Sequence, residues 1–491
     1  MAGRAASGPL VIVGDALLDR DVEGQAERLC PDAPALVVEE TEARLRPGGA
    51  ALAALLAATI HDAEVVLIAP LGDDEASATV KDLLGVVTVI PVPLAGPLQE
   101  KTRIRAAGQT LLRVDKPAGI PGPAGSAAVE AISAAGALLV SDYGRGTTAD
   151  PRLREALSRR AARVPLVWDP HLKGTEPVPG THLATPNGTE AAQSAGVPAG
   201  GVLDAAAAAD CLLSRWPIRA VAVTLGRRGA LLARPGQAPL AVPAAELRVT
   251  DPCGAGDQFA VAVASSLRNG ATMSEATTWA VAAATRFLAA GGVSGLASEA
   301  RRAKGIGGDG QSRQEQGGPG RGRPPWAAPF PRGHTALDVA ETVRAAGGVV
   351  VAAGGCFDVL HAGHVSMLKA ARSLGDCLIV CMNSDDSVRR LKGPGRPLNP
   401  AADRAAVLTA LDGVDEVAVF DEDTPERLLE QLKPAIWVKG GDYDGRELPE
   451  AAPLRRWGGR VVTVPYLTGR STSRIASAAA RTAPPEVSET R

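Results

Sequence analysis

Gly355-Cys356-Phe357-Asp358-Val359-Leu360-His361-Ala362-Gly363-His364 lies between an apolar run at 348–354 and an amphipathic helical pattern at 365–374. A strand, a glycine-containing turn and a helix start in that order make an anion site. The first amides of a helix lack internal partners, the helix dipole adds partial positive charge there, and Gly363 lets the backbone approach closely. His361 and His364 are three residues apart, so on a common helix face both donate to phosphate oxygens. One histidine in such a place is ordinarily a packing or capping residue. Two of them, with Gly355, Phe357, Asp358 and Gly363 around them, point to a nucleotide.

This stretch resembles the nucleotidyltransferases that carry an H-x-G-H signature. Further pieces follow in order: an apolar run from Cys377 that ends in Asn383-Ser384-Asp385, then Lys392-Gly393, Arg396-Pro397, Asp403-Arg404, Lys439-Gly440-Gly441-Asp442-Tyr443 and Ser471-Thr472-Ser473. The set is similar to the adenylyltransferase half of the bifunctional heptose 7-phosphate kinase / heptose 1-phosphate adenylyltransferases. The resemblance implies that Gly355, Phe357, Asp358, Gly363, Lys392, Arg396, Arg404, Ser471 and Thr472 bind nucleotide or phosphate, and that His361 and His364 are catalytic.

At 491 residues the chain exceeds what one hydrophobic core serves, so two domains are expected. Aromatic content is only 3%, which leaves the cores to Ala, Val and Leu. A formal net charge of -2 gives no electrostatic case for nucleic acid or an anionic membrane. No apolar run reaches the roughly 18 residues of a membrane span. Six scattered cysteines without C-x-x-C spacing read as small reduced core residues, and the expected location is cytoplasmic.

Residues 304–333 are rich in Gly, Arg and Pro and cannot bury enough apolar surface to offset ordering, which reads as a flexible linker; 482–491 reads as a polar tail. Domains are therefore expected at 1–303 and 334–481. Before the linker, apolar runs at 10–13, 65–68, 137–140, 165–168 and 220–224 alternate with Ala-rich helical patterns. After it, runs at 349–352, 378–381, 416–419, 436–438 and 461–464 do the same. Both halves read as α/β with largely parallel sheets, whose ligands bind at the carboxyl ends of strands.

The sharpest feature of the first half is Asp251-Pro252-Cys253-Gly254-Ala255-Gly256-Asp257, after a β-like segment at 246–250 and before a helical pattern at 258–267. Gly254, Ala255 and Gly256 can turn successive amides toward an anion, and Asp257 at the helix mouth is placed to take a proton from an attacking hydroxyl. As a bare Asp it would more simply cap the helix.

This motif resembles the ribokinase-type sugar kinases, over roughly 9–298. Asp15 and Asp19, the Pro47-Gly48-Gly49 turn, Lys101 and Arg103, Asp142-Tyr143, Asp169-Pro170, Asn187, Glu190 and Thr224-Leu225-Gly226-x-x-Gly229 occur in the family's order. The resemblance implies a ribokinase-like domain with a β lid, followed by a smaller Rossmann-like nucleotidyltransferase domain. It implies that Asp257 is the base, that Asp15, Asp19, Gly48, Gly49, Lys101 and Arg103 hold the sugar phosphate, and that Asn187, Glu190, Thr224, Gly226, Gly229 and Asp251 surround Mg²⁺ and ATP. No metal held by fixed protein ligands is implied. Where the heptose kinases read Gly-Gly-Ala-Ala-Asn, this chain has Leu52 in the last place, and His171 stands where they tend to carry Lys.

The activity implied is phosphorylation of heptose 7-phosphate at C1 and, after a separate phosphatase has removed the 7-phosphate, adenylyl transfer from ATP to heptose 1-phosphate. The family further implies a homodimer through the lid strands. Another sugar, CTP in place of ATP, or a nucleotide-binding scaffold with a decayed kinase half are the alternatives at this stage.

Overall fold

The computed structural model describes residues 8–61, 63–249, 251–296, 334–441 and 449–465. The linker expected at 304–333 and the tail at 482–491 lie outside them. Contacts divide the chain into one unit of Met1–Pro235 with Ala244–Asp309, and a second of Gly236–Pro243 with Gly310–Arg491.

In the first unit the five apolar runs become strands Leu10–Gly14, Val65–Pro70, Ala137–Ser141, Leu166–Asp169 and Val221–Thr224; Thr88–Val92 and Leu183–Ala184 join them unexpected, and Ala230–Ala233 returns antiparallel. Leu10–Gly14 sits between Val65–Pro70 and Ala137–Ser141 and is parallel to both. Successive connections therefore leave in opposite directions around this pair of strands, which opens a crevice beyond Gly14 and Ser141. Helices such as Ala50–Ile60, Pro151–Ala161 and Ala255–Arg268 accompany the sheet. The core on one face is aliphatic, with Val11, Val13, Ile68, Ile132, Leu138, Leu157 and Leu166 around a fully buried Trp168.

Two long strands, Ala16–Leu29 and Leu36–Gly49, differ from expectation. The sequence between the first strand and Gly48-Gly49 carries no expected element. It folds as an antiparallel ribbon, and together with Glu100–Ala106 and Gln109–Asp115 it makes a four-stranded lid sheet. The β-like segment expected at 246–250 is not a strand among the described residues.

The second unit has strands in the order Glu416–Phe420, Cys377–Asn383, Val350–Gly355, Ile436–Gly440, Arg460–Val464, all parallel. Leu240–Val242, placed by the sequence reading in the first half, lies beside Arg460–Val464 and belongs to this unit. The crevice falls between Val350–Gly355 and Ile436–Gly440, directly above the helix Ala362–Arg372 that follows the first of them. Trp437, 1% exposed, packs flat against Gly354, where a Cβ would come within 2.3 Å of its ring. Gly354→Ala is therefore expected to destabilise the second unit by about 1–3 kcal/mol through overpacking, read as a lower melting temperature of that unit.

Candidate active site

In the first unit Gly254 adopts φ 81°, a left-handed conformation natural to glycine, and caps the helix Ala255–Arg268. Asp257 is in the first turn and is buried. Loss of solvent pushes its carboxyl up to about 7; a hydrogen bond from the Tyr143 phenol, at 2.8 Å, draws it part of the way back. A carboxylate balanced near neutrality at a helix mouth is suited to accept a hydroxyl proton. The Ala255 amide is already committed to the Pro252 carbonyl at 3.2 Å, so the anion contact expected of it falls to its neighbours in the first turn, Gly256 among them.

Several expected sugar ligands have other partners. Asp15, 1% exposed, accepts hydrogen bonds from the amides of Tyr143 (3.0 Å), Arg145 (2.9 Å) and Thr147 (3.3 Å) and from the Thr147 hydroxyl (2.5 Å). Its carboxylate holds the loop after Ala137–Ser141 and has no lone pair to spare for a sugar. Asp19 is at the crevice but is paired, through Oδ2 with Arg46 at 3.0 Å and through Oδ1 with Arg103 at 2.8 Å. Arg46 also grips Asp21 at 2.6 Å, and Arg105 reaches Asp251 at 3.0 Å. Arg105 also meets Glu23 at 3.4 Å, so three lid arginines bind four carboxylates, one of them on the anion loop. Gly48 has no room for a Cβ, which would stand 2.6 Å from Asp19 Oδ2, and Gly49 turns with φ 59° into the helix Ala50–Ile60. Lys101 lies over the Tyr143 ring, Nζ 5.5 Å from its centre, with burial pulling its ammonium below the usual lysine value.

Across the crevice, the Asn187 carboxamide oxygen accepts the amides of Thr189 and Glu190, and Glu190 Oε2 accepts the Asn187 amide. This capping box occupies the groups expected in a metal network. Thr224 lies beside Asn187, and the turn closed by Gly226 and Gly229 follows it. Among the described residues no group of three or more His, Cys, Asp or Glu is arranged to hold a metal ion.

In the second unit His361 caps the helix Ala362–Arg372: its Nδ1 accepts the Gly363 amide at 3.1 Å, which assigns the ring proton of the neutral form to Nε2. The His364 ring stacks on it at 4.0 Å, and Phe357 leans on the other side at 5.3 Å. Burial first, then the positive charge of His361 and Lys392, pushes His364 down to about 4. It is neutral at pH 7, and its buried Nδ1 has no partner among the described residues.

Three expected phosphate ligands are instead structural. Asp358 is buried and accepts Arg396 Nη1 at 2.6 Å and the Leu398 amide at 2.5 Å, so Arg396 anchors its loop and is not a free anion ligand. Arg404, 2% exposed, donates to the carbonyls of Asn399, Cys356 and Asn383 and to the Asp385 carboxylate. It ties the ends of two parallel strands together. Lys392 is exposed at the end of its helix. Ser471, Thr472 and Asp442-Tyr443 lie outside the described residues.

Comparison with known proteins matches 126–299 to the pfkB family carbohydrate kinases and 352–483 to the cytidylyltransferase-like family. The bifunctional protein HldE of Streptomyces coelicolor is 51% identical over 484 residues, 98% of each chain. The chain belongs to the HldE family. The HldE of Alcanivorax borkumensis is 37% identical, over 95% of this chain and 96% of its own. Arabidopsis thaliana ribokinase, solved with ribose and ATP, is 23% identical over 57% of this chain and 93% of its own, with a TM-score of 0.46. As an HldE-family member the chain is a sugar kinase joined to a nucleotidyltransferase, with a ribokinase-like and a Rossmann-type domain.

Two residues of the kinase site escaped the sequence reading as ligands or partners: Arg46, whose only signal is its place before Pro47-Gly48-Gly49, and Tyr143, at the end of a strand next to Asp142. Leu52 is 2% exposed and comes within 3.4 Å of where a Cβ on Gly254 would be. It packs beneath the anion loop. Leu52→Asn is therefore expected to leave an amide without a partner, lowering stability by about 1–3 kcal/mol in a thermal melt while the KM for sugar phosphate stays unchanged.

Proposed function

We propose that the first unit transfers the γ-phosphoryl group of ATP to the C1 hydroxyl of heptose 7-phosphate and that the second joins AMP from ATP to heptose 1-phosphate, giving ADP-heptose and pyrophosphate. The observation that carries the kinase reading is the buried Asp257 at the mouth of Ala255–Arg268, under the Gly254 turn and at the crevice of the sheet. Asp257 takes the C1 hydroxyl proton; the first-turn amides of the helix and its dipole stabilise charge on the transferring phosphoryl group. Magnesium enters as part of MgATP. The lid arginines Arg46 and Arg103, with Lys101, are the groups available to meet the 7-phosphate.

In the second step the sugar 1-phosphate is already an anion and needs no base. Catalysis there is positioning and charge stabilisation. His361 donates through Nε2, neutral His364 donates one N–H, and Lys392 supplies a diffuse positive field. The two steps are separated by loss of the 7-phosphate, which we assign to a separate phosphatase. Pairing of two chains through the lid is supported by Leu111, Leu112 and Val114, all exposed on the edge strand Gln109–Asp115. No described helix is long and apolar enough to cross a membrane. A cytoplasmic location fits an enzyme that consumes ATP and has six unpaired cysteines.

Asp257→Asn is expected to lower kinase turnover by roughly 10²–10⁴-fold and to leave adenylyl transfer intact, as measured by ADP and pyrophosphate release from the full chain. Equal loss of both would defeat the two-site reading. His364→Ala is expected to cost on the order of 10²–10³-fold in kcat for adenylyl transfer with the kinase untouched. A near-normal kcat with a lowered melting temperature would reduce His364 to a packing role.

A further inference from the structure

The Tyr143 phenol is the only side chain hydrogen-bonded to Asp257 among the described residues, at 2.8 Å to Oδ1. Tyr143 is itself fixed from several directions. Its amide donates to the buried Asp15, its ring stacks on His171 with centres 6.4 Å apart and planes 18° from parallel, and Lys101 lies over it. The flanking Asp142 is locked in turn by the Gly144 and Thr175 amides and the Thr148 hydroxyl. A phenol held this firmly fixes the rotation of the carboxylate it touches.

We infer that Tyr143 is a positioning residue of the kinase, holding Oδ1 of Asp257 so that the other carboxylate oxygen faces the sugar hydroxyl and receives its proton. No atom of Tyr143 changes bonds: the proton of the sugar hydroxyl passes to Asp257 as the sugar oxygen bonds to the γ-phosphorus, the bond from that phosphorus to the bridging oxygen breaks, and ADP leaves with its electron pair. The inference rests on the reading of Asp257 as the base.

The groups facing this pair give the electrostatic consequence. Asp19 of Ala16–Leu29 raises the Asp257 carboxyl and Arg46 of Leu36–Gly49 lowers it. Asp169, at the end of Leu166–Asp169, is half-buried in the same neighbourhood, where loss of solvent and then the Asp257 charge push it up; Glu190 faces Asp169 in turn. Burial, then the charge of Asp257, raises the Tyr143 phenol well above its ordinary value, so it stays a donor. Lys101 and His171 face the Tyr143 ring, and Cys253 of the anion loop lies near it. Within this set the phenol is the hydrogen-bond donor that favours the charged carboxylate.

The sign follows. The base works unprotonated, so kinase kcat/KM falls as pH drops through its pKa, and loss of the phenol moves that fall to higher pH. Kinase pH profiles of the full chain would be compared for the parent protein, Tyr143→Phe, a protein with 3-fluorotyrosine placed at 143, and Asp257→Asn. The acid limb of Tyr143→Phe is expected to shift up by about one pH unit, a roughly tenfold loss on that limb relative to its own plateau. Fluorotyrosine, a stronger donor, is expected to shift it down. A thermal melt of the same samples serves as the folding control for the first unit, and adenylyl transfer reports that the second is intact. Limbs unmoved in both tyrosine variants, with Asp257→Asn inactive, would overturn the role of Tyr143 and leave the base in place. An active Asp257→Asn would remove the base itself and the inference with it. If Tyr143→Phe fails to fold, the direction of the fluorotyrosine shift decides alone.

Discussion

Each half of the molecule hangs its binding loops on a buried charge that the main chain solvates. In the first it is Asp15, an anion taking three amides and a hydroxyl from the Tyr143–Thr147 loop. In the second it is Arg404, a cation giving its protons to three carbonyls and one carboxylate. Removing either would leave unpaired dipoles pointing into a dry interior, and such a loss is large when a buried charge network is broken. Asp15 directly follows the first strand of its sheet, and Arg404 reaches from the helix Ala401–Thr409 to the ends of Val350–Gly355 and Cys377–Asn383. There the backbone leaves the ladder and its polar groups need new partners. The charge supplies them, and in doing so fixes a loop that borders the proposed reactive groups.

From these clamps the chemistry follows by adjacency. Asp15 sets the path of the loop bearing Tyr143, and Tyr143 meets Asp257. Arg404 holds the Cys356 carbonyl one residue before Phe357, whose ring flanks His364. Neither set of reactive groups is on a free surface loop. Each stands at the crevice where strand order reverses, held by groups on both sides.

The strands were legible because aliphatic runs bounded by glycine and aspartate have one reading in a parallel sheet, and the observed strands reach only a few residues past those runs. The glycine loops at 254–256 and 363 were legible because few folds put glycines before a helix in that way. The lid strands Ala16–Leu29 and Leu36–Gly49 were not, since they carry charges on both faces and bury little. The partners of single polar residues were the other blind spot. Asp15, Asp358, Arg396 and Arg404 read as ligands in the sequence, but a sequence does not say whether a charge meets a ligand or a carbonyl 48 residues away, as Arg404 meets Cys356. Tyr143 and Arg46 were passed over for the same reason: what they touch is distant in sequence, Asp257 lying 114 residues from Tyr143.

The lid arginines carry one more consequence. Arg46 and Arg103 are already neutralised by Asp19 and Asp21, so they are not an open trap for anions. A phosphate that meets Arg46 competes with the carboxylates its Nε, Nη1 and Nη2 already hold, and a displaced carboxylate then needs donors of its own. A polyol brings such donors in its hydroxyls; bare phosphate brings none, and an uncharged sugar cannot free the arginine. If the proposed substrate phosphate meets this lid, its binding there is a competition with Asp19 and Asp21, one that favours a molecule carrying phosphate and hydroxyls together without any increase in the net charge of the site.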